Sequence, residues 1–510
     1  MSELISGSRT LTDAEMTVAI NKAASGFQRM GVKAGDCVAL MLRNDFPFVI
    51  ASLAAGQLGA YVTPINWHYT PAETKYILND CGADFLVIHT DLLPQIEGSV
   101  HVNMTVIVVA TPPEIVTAYK IPELSIAIPE DYLNWDHWLE EQDAAGVEEK
   151  LAPASMIYTS GTTGHPKGVK RQPPTAKTMV SRLEWIIASF GLDPELDYVA
   201  LMNGPMYHSA PNGYGIHACR NGGKIIFEAK FDPEEMLQLI EKYQVTHMHI
   251  VPTMFSRLLK LPENIRNKYD VSSLQFVVHG AAPCPAEIKK AMIEWWGPVI
   301  NEYYGGTETG IISVLNSSDA LTRPGTVGKQ MIRREVRVYG EDGLELGPNE
   351  IGDIYVDVPE DSNFTYHGND QKRADISHEG MVTLGDMGYK DEEGFIYLCD
   401  RRNDMVISGG VNIYPAEIEA VLSQMPIVKD CAVFGIPHEE FGETLCSYVE
   451  LEIGETADPS EIQEFLKDKL ASFKIPRIVK FSKNLPREDS GKIFKRKLRA
   501  PYWEKSGRKI

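Results

Sequence analysis

The sequence predicts an α/β protein in which parallel-sheet βα units form a large first domain and a small α+β domain follows. Its 510 residues exceed the roughly 250–300 at which a single core stops growing, so at least two domains are expected. Short apolar runs alternate with helical stretches as far as about residue 301, which is typical of βαβ units around a parallel sheet. Beyond about residue 323, shorter strands with Asp-Gly and Glu-Gly turns indicate antiparallel sheet or a small barrel.

The first part of the chain reads as alternating strands and helices. The predicted elements are a strand over 37–43, a helix over 47–58, a strand over 61–64, a helix from Pro71, and strands over 85–88 and 105–109. The segment from 112 to 146 has many Pro, Asp and Glu residues, so we expect a surface excursion there.

The same alternation resumes after residue 155. The predicted elements are a strand at 156–158, a helix over 175–190, a strand over 224–227, a helix from 233, strands over 245–251 and 274–279, a helix over 285–296 and a strand edge at 299–301. Asp232, Pro233 and Glu235 supply an N-cap, a first-turn proline and an N3 glutamate for the helix that starts there.

A charge cluster at Asp400–Asp404 marks the predicted boundary, so we place one domain at 1–402, with a β-rich part at about 323–400, and a second at 403–510. In the second domain we expect a Gly409-Gly410 turn, a helix from Pro415, strands over 428–434 and 445–451, a helix over 460–470 and a basic tail.

Charge and cysteine usage narrow the functional classes. A net charge of −21 and a pI near 5.1 argue against nucleic-acid or anionic-membrane binding. The seven cysteines are scattered without metal spacing, as in a reducing cytosol. We find no signal peptide and no apolar run of about 18 residues, so we expect a cytoplasmic protein without an integral membrane segment, and a homodimer is left open.

Residues 155–171 contain three glycines and four hydroxyl side chains after a short apolar run. Glycines let the backbone turn its N–H groups toward one point, and hydroxyls with one lysine complete a cradle for nucleotide phosphates. A flexible Gly/Thr turn is the alternative. The residues expected to face the phosphates are Thr159, Ser160, Gly161, Thr162, Thr163, Gly164 and Lys167.

A second cluster, Asn301–Gly310, follows a strand edge, where open α/β sheets bind ligands. Tyr304 offers an aromatic face for a purine, Thr307 a hydroxyl, and Glu308 a hard carboxylate for Mg²⁺. Taken alone, the Gly-Gly-Thr-Glu-Thr-Gly stretch is a weak signal, since most such stretches are turns.

Together with Tyr158–Gly168, these motifs resemble the adenylate-forming (ANL) acyl-CoA synthetases. Further matches in the same order are His279–Pro283, Pro205–Ser209, Leu384–Gly388, Asp400–Asp404, Ser408–Glu419 and Leu485–Lys495. The resemblance implies ATP, Mg²⁺ and CoA as cofactors and a mobile C-terminal lid domain. Two of these matches also have a purely structural explanation. Residues 279–283 fit a strand-to-helix turn, and residues 408–410 fit a hairpin turn.

The resemblance implies a role for each matching residue. ATP and AMP would contact, besides the phosphate loop, Gly280, Ala281, Ala282, Glu302, Tyr303, Tyr304, Gly305, Thr307, Asp386, Arg401 and Lys492. The catalytic residues would be Lys492, His208, Thr307 and Glu308, with Glu308 as the metal ligand. Asn403 would be the hinge, where the family usually has Asp or Lys, and Ser408, Gly409 and Gly410 would bind CoA. The acyl pocket would comprise Tyr207, His208, Gly213, Val251, Gly305 and Gly306.

The predicted function is therefore ATP-dependent activation of a carboxylic acid to an acyl-adenylate, followed by transfer to CoA. Small residues near the pocket, among them Gly215 and Gly305, are interpreted as leaving volume for a fatty or bulky hydrophobic acid. Two alternatives remain: an acyl-AMP ligase that delivers to a carrier protein, and a nucleotide-binding regulator without turnover.

Overall fold

A computed structural model describes residues 3–159, 166–359, 363–487 and 493–506. Its contacts divide the chain into two compact units. The first contains residues 1–322, 331–334 and 358–379, and the second contains 323–330, 335–357 and 380–510. The predicted boundary at 402/403 stays a prediction, since this division follows contact density and not a hinge.

The strands are β1 Glu3–Ser6, β2 Arg9–Thr12, β3 Cys37–Met41, β4 Tyr61–Pro64, β5 Phe85–His89, β6 Thr105–Val109, β7 Leu133–Asn134, β8 Ile157–Thr159, β9 Lys167–Arg171, β10 Val199–Met202, β11 Lys224–Phe227, β12 His247–Ile250, β13 Phe276–His279, β14 Ile300–Gly306, β15 Gly310–Leu315, β16 Thr326–Gln330, β17 Val336–Tyr339, β18 Gly352–Val356, β19 Phe364–Tyr366, β20 Ser377–His378, β21 Met381–Lys390, β22 Phe395–Arg401, β23 Val406–Ser408, β24 Val411–Ile413, β25 Val428–His438, β26 Gly442–Leu451 and β27 Ile478–Phe481.

The α-helices are α1 Asp13–Arg29, α2 Phe46–Gln57, α3 Pro71–Cys81, α4 Pro113–Tyr119, α5 Trp135–Glu140, α6 Ala176–Phe190, α7 Ser209–Arg220, α8 Pro233–Tyr243, α9 Pro252–Leu259, α10 Glu263–Arg266, α11 Ala286–Trp296, α12 Ser317–Thr322, α13 Asp370–Asp375, α14 Pro415–Leu422, α15 Pro459–Lys467 and α16 Lys495–Ser506. Among the helices of the described ranges, none is long and apolar enough to cross a lipid bilayer.

The first unit contains the predicted parallel sheets. One has the strand order β4-β3-β5-β6-β7 with every pair parallel. The other runs β2-β1-β11-β10-β12-β13-β14-β15 and is parallel from β1 to β14, with an antiparallel pair at each end. A third sheet, β19-β9-β8, is antiparallel. Parallel strands end at the same edge of a sheet, which brings the motifs after β12, β13 and β14 together.

The second unit contains two further sheets. The β-rich region forms the antiparallel order β17-β18-β21-β22-β16, as its turn-rich texture predicts. Farther along the chain, β24-β23-β26-β25 with β27 beside β26 forms the five-stranded sheet of an α+β unit, packed under α14 and α15.

The predicted surface excursion at 112–146 is wrong as a description of the whole segment. It contains α4, β7 and α5, and Trp135 and Trp138 are 2% and 7% exposed in the main hydrophobic core. Most of the acidic and proline residues lie at its exposed positions, while the two tryptophans bury large apolar surfaces.

Strands β1 and β2 and helix α1 lie before residue 37, where the sequence analysis predicts no element. Helix α1 begins at a capping box in which Thr12 caps the Glu15 N–H and the Glu15 carboxylate accepts from the Thr12 N–H. Its buried face, which includes Ile20 and Phe27, packs into the main core.

Candidate active site

The predicted phosphate loop connects β8 to β9 in the first unit. Thr159 and Lys167 are paired across the two strands at the ends of the loop. The loop residues Ser160, Gly161, Thr162, Thr163 and Gly164 lie outside the described residues. Gly168 faces the ring of Tyr158, and a Cβ added to it would lie 3.0 Å from Tyr158 Cζ. The two strands thus hold both ends of the loop in register.

The predicted magnesium ligand lies near one end of this loop. Tyr366 on β19 donates from its hydroxyl to Glu308 Oε1 at 3.1 Å, and Lys167 Nζ lies 5.6 Å from the centroid of the Tyr366 ring. Burial and the neighbouring Lys372 lower the pKa of Lys167, whereas the Glu308 carboxylate raises it. The first unit therefore brings a carboxylate and an ammonium group together beside the phosphate loop.

Glu308 lies in the turn between β14 and β15. The Thr307 hydroxyl donates to Ser209 Oγ at 3.0 Å. At the end of β14 its backbone approaches that of β15 closely. A Cβ on Gly305 would lie 2.2 Å from the Gly310 carbonyl oxygen. Only glycine fits at that position, and the bulge between Tyr304 and Gly305 lies in the same place.

The predicted adenine segment, Gly280–Ala282, follows β13. A Cβ on Gly280 would lie 2.4 Å from Tyr303 Cζ, and Ala281 has a left-handed φ of +67°. Glu302 forms a buried ion pair with Lys289, so its carboxylate is already engaged by the protein. The segment is therefore a tight turn packed against the ring of Tyr303.

Gly280→Ala is expected to lower stability by about 1–3 kcal/mol, because the added methyl group overlaps the Tyr303 ring. Chemical denaturation of the purified variant measures this change. Gly213→Ala is the matched control, since its methyl group would meet only Phe190 Cε2 at 4.0 Å. An equal loss of stability in both variants would contradict the steric explanation.

His208 is the N-cap residue of α7, and its side chain makes no capping hydrogen bond. Asn44 fixes the preceding loop, donating from Nδ2 to the Gly204 carbonyl at 2.7 Å and accepting from the Met206 N–H at 2.9 Å. The His208 ring lies against Tyr207, with centroids 4.4 Å apart. Burial lowers the pKa of His208 to about 4, so the ring is neutral at neutral pH. Within the described part of the chain its Nε2 has no hydrogen-bond partner.

Aromatic rings pack beside Gly213, one of the residues of the predicted acyl pocket. Phe190 meets Tyr214 and Tyr303 edge-on at centroid distances of 5.6 and 6.3 Å. His249 Nε2 lies 3.0 Å from the Tyr303 hydroxyl oxygen, and burial lowers the His249 pKa to about 4. Val251 follows the same strand as His249 and caps α9. The rings form an apolar, uncharged cluster beside Gly213.

The interpretation that small residues leave volume for the acid is wrong at two positions. A Cβ on Gly215 would lie 2.8 Å from Met202 Cε, and a Cβ on Gly305 would meet backbone. The space beside these glycines is therefore filled by the protein itself. Gly213 differs, because its nearest neighbour is 4.0 Å from an added Cβ.

The predicted ribose and hinge residues lie in the second unit. Asp386 and Arg401 are paired on β21 and β22, with Arg401 Nε 2.7 Å from Asp386 Oδ1. Arg401 also donates to the Leu384 carbonyl at 2.8 Å. The carbonyl of Asn403 accepts from Arg499 Nη1 at 2.9 Å, so the tail helix α16 is attached to the predicted hinge.

Lys492 lies outside the described residues, but both flanks of its segment are held in the second unit. Arg487 and Ile493 form an antiparallel bridge, and the Phe494 N–H donates to the Pro486 carbonyl at 2.8 Å. Lys495 Nζ then lies 2.8 Å from Glu419 Oε1. The residues before and after Lys492 are thus paired with each other, and Lys495 is anchored to α14.

Ser408, Gly409 and Gly410 form the turn between β23 and β24, with both glycines at positive φ. Ser408 donates to the Glu443 carbonyl at 2.8 Å. A cavity of about 420 Å³ adjoins this turn. Its lining residues are Ser408, Gly409, Phe441, Thr444, Leu445, Gln463, Lys467, Ser472, Phe473, Ile475, Pro476 and Arg477.

Sequence reasoning missed two residues of this site, Tyr366 and Arg171. Arg171 Nη2 donates to the carbonyls of Thr307 and Glu308 at 2.6 and 2.8 Å. Tyr366 had no local signal. Arg171 had no local signal either, because its partners lie about 136 residues away along the chain.

Comparison with known proteins gives two family matches. The AMP-binding enzyme family matches residues 2–362, and the AMP-binding enzyme C-terminal domain matches residues 417–492. The chain is 31% identical over 507 residues to a feruloyl-CoA synthase of an Amycolatopsis species, covering 97% of this chain and 95% of that one. It is 30% identical over 503 residues to the long-chain-fatty-acid–CoA ligase FadD13 of Mycobacterium tuberculosis, covering 96% and 93%.

Among solved structures, the anthranilate CoA ligase AuaEII in complex with anthranoyl-AMP superposes with a TM-score of 0.86 at 25% identity, covering 100% of this chain and 95% of that one. The predicted mixed α/β architecture, with a large sheet domain and a C-terminal domain, agrees with that structure.

Proposed function

The chain belongs to the AMP-binding, adenylate-forming enzymes and is an ATP-dependent, AMP-forming acid–CoA ligase, and on this premise we propose that its acid is hydrophobic. We include fatty acids and bulky acids such as an aryl-alkanoate or a steroid side chain. The observation that supports the proposal is the apolar ring cluster of Phe190, Tyr214 and Tyr303, whose polar partner His249 is neutral.

The relatives are consistent with this class of acid. Feruloyl-CoA synthase and the long-chain-fatty-acid–CoA ligase are named for acids with apolar bodies. A ring cluster that offers faces and edges favours aromatic groups, because edge-to-face pairs add about 0.5–1.5 kcal/mol beyond area burial. Within the proposed class, aryl-alkanoates fit the cluster best, since the space beside Gly215 and Gly305 is occupied.

In the first proposed step, a carboxylate oxygen of the acid attacks the α-phosphorus of ATP, pyrophosphate leaves, and an acyl-adenylate remains. Lys167 would neutralise the phosphates, and the Thr307 hydroxyl would turn its hydrogen from Ser209 Oγ to the α-phosphate. Tyr304 would stack on adenine, and Asp386 would accept from the ribose hydroxyls. These residues hold and orient the reactants, which is most of what a phosphoryl-type transfer requires from a protein.

The donor chemistry at Glu308 fits Mg²⁺. Among the described residues no group of three His, Cys, Asp or Glu side chains could hold a metal, so the ion would bind one carboxylate together with the phosphates. Mg²⁺ is commonly bound in this way, and when bound it would offset phosphate charge. Tyr366 orients the carboxylate by its hydroxyl contact.

In the second proposed step, the CoA sulfur attacks the acyl carbon and AMP leaves. We propose that a domain of residues 403–510 swings about Asn403, withdrawing Lys492 and presenting Ser408, Gly409 and Gly410 to CoA. The cavity beside that turn supports the assignment, because Lys467 and Arg477 in its lining supply positive charge for CoA phosphates.

His208→Asn is expected to raise the KM for the acid about tenfold, because the variant loses one hydrogen bond to the carboxylate of the acid. The proposed contact is from His208 Nε2, which lies beside the acyl pocket. Because burial already lowers the His208 pKa to about 4, the pH profile of kcat/KM between pH 6 and 8 should be the same in both enzymes. A wild-type inflection near pH 6.5 that the variant lacks would contradict a neutral ring.

A panel of acids from acetate to bile acids, scored for CoA-thioester formation, tests the proposed acid class. We expect aryl-alkanoates or fatty acids to give the highest kcat/KM, and preferential use of acetate would contradict the proposal. Assays with and without CoA separate the alternatives. With CoA present, a carrier-protein ligase would release pyrophosphate and still form no CoA thioester, whereas a nucleotide-binding regulator would release no pyrophosphate with any acid.

A further inference from the structure

Two arginine side chains donate hydrogen bonds to the backbone of the turn Thr307–Thr309. Arg171 Nη2 donates to the carbonyls of Thr307 and Glu308 at 2.6 and 2.8 Å. Arg334 Nη2 donates to the carbonyl of Thr309 at 3.1 Å. Three consecutive carbonyl oxygens of one turn therefore accept from guanidinium groups, and all of these residues lie in the first unit.

The side chains of the same turn have partners of their own. The Thr307 hydroxyl contacts Ser209, and the Glu308 carboxylate accepts from Tyr366. The backbone is thus fixed by one set of contacts while the groups proposed to meet phosphate and metal are oriented by another. A turn without such contacts would shift its carboxylate with small changes in φ and ψ.

The charges in this cluster explain why arginine is suited to it. Burial lowers the pKa of Arg171 to about 10, the Glu308 carboxylate raises it, and Arg334 lowers it further. The guanidinium group remains charged at neutral pH despite this environment. Two like charges beside one turn repel each other, and the carboxylate of Glu308 with the carbonyl dipoles offsets that repulsion. Lysine offers a point charge, whereas a planar guanidinium can donate to two carbonyls at once.

We propose that Arg171 and Arg334 are positioning residues, which fix the Thr307–Thr309 backbone so that the Glu308 carboxylate is held ready for the metal–nucleotide complex. The inference rests on the proposed role of Glu308. The effect of the two arginines reaches the reaction through the turn that they bind.

The test measures metal binding apart from turnover. Mn²⁺ binding in the presence of a non-hydrolysable ATP analogue is followed by the loss of the free Mn²⁺ electron paramagnetic resonance signal. Arg171→Gln is expected to weaken Mn²⁺ binding about 10–100-fold, the usual effect of losing a group that orients a metal ligand. Arg171→Lys should recover part of the loss, and added guanidinium ion should recover part of it in Arg171→Gln.

Arg333→Gln is the matched control. Arg333 precedes Arg334 directly, but its side chain is 66% exposed and pairs only loosely, at 3.6 Å, with Glu184. The control should bind Mn²⁺ as the wild type does. Thermal denaturation of every variant identifies any that fail to fold. If Arg171→Gln does not fold, the Mn²⁺ affinity of Arg171→Lys decides whether Arg171 positions the turn.

Wild-type Mn²⁺ affinity in folded Arg171→Gln, or an equal loss in Arg333→Gln, would overturn the proposal. Failure of the proposed function would look different: the wild type would bind Mn²⁺ with the analogue and yet release no pyrophosphate with any acid. The two ideas are therefore tested separately.

Discussion

Lys492→Ala is expected to lose acyl-adenylate formation by about 100–1000-fold, the range seen when one preorganised charge contact is removed from a transition state. Adenylation joins an anionic carboxylate to an anionic phosphate, and an ammonium group between them relieves the repulsion. Thioester formation from supplied acyl-adenylate and CoA should remain near the wild-type rate. The two half-reactions are measured separately, by pyrophosphate exchange and by thioester yield.

The described residues on both flanks of Lys492 support the proposed catalytic role. Arg487 and Ile493 form an antiparallel bridge, and the Lys495–Glu419 pair anchors the helix that follows. The segments before and after Lys492 are therefore held within the second unit. Lys483→Ala is the matched control, because that lysine is exposed in the same basic tail. Equal loss of both half-reactions in Lys492→Ala would contradict the assigned role.

Glu308→Gln is expected to reduce adenylation by about 100-fold at millimolar Mg²⁺, since an amide oxygen without charge is a weak ligand for a hard cation. The shape of the side chain and its contact with Tyr366 are preserved, so folding should be unaffected. Initial rates of pyrophosphate exchange over a Mg²⁺ titration measure the effect.

Tyr366→Phe is the comparison for that variant. It removes one hydroxyl contact to Glu308 but leaves the carboxylate charge, so its loss should be about tenfold or less. A Glu308→Gln enzyme that keeps wild-type activity at limiting Mg²⁺ would show that another group holds the metal.

Strong local signals predicted many fold elements closely. Strands β4, β6 and β11 have the bounds predicted from their apolar runs, because three or four consecutive buried residues mark where each strand lies. The helix predicted after Asp232 begins there, and Asp232 caps the N–H groups of Glu234 and Glu235. Local rules succeed here because tertiary contacts reinforce them.

Elements whose burial is decided by distant packing were harder to predict. Trp135 and Trp138 lie in an acidic, proline-rich segment, yet they are buried against α1. Helix α1 has a signal in its sequence, the Thr12–Glu15 capping box, although the helix itself contains no long apolar run. Composition describes the average environment of a segment and not that of its largest side chains.

The site was predictable where residue type determines chemistry. Glycine-rich loops, a carboxylate after a strand and a lysine in a basic tail are visible in sequence. The volume of the acyl pocket was not, because Met202 fills the space beside Gly215 and the Gly310 backbone fills that beside Gly305. The arginines under the Thr307–Thr309 turn were also out of reach, since only the fold brings β9 to that turn.

Isotope transfer tests the central claim most directly. The enzyme is given an acid from the panel with both carboxylate oxygens labelled with oxygen-18, together with ATP and CoA, and the AMP is examined by mass spectrometry. Attack of the carboxylate on the α-phosphorus predicts one labelled oxygen in AMP and none in pyrophosphate. Unlabelled AMP, or label in pyrophosphate or phosphate, would contradict the account.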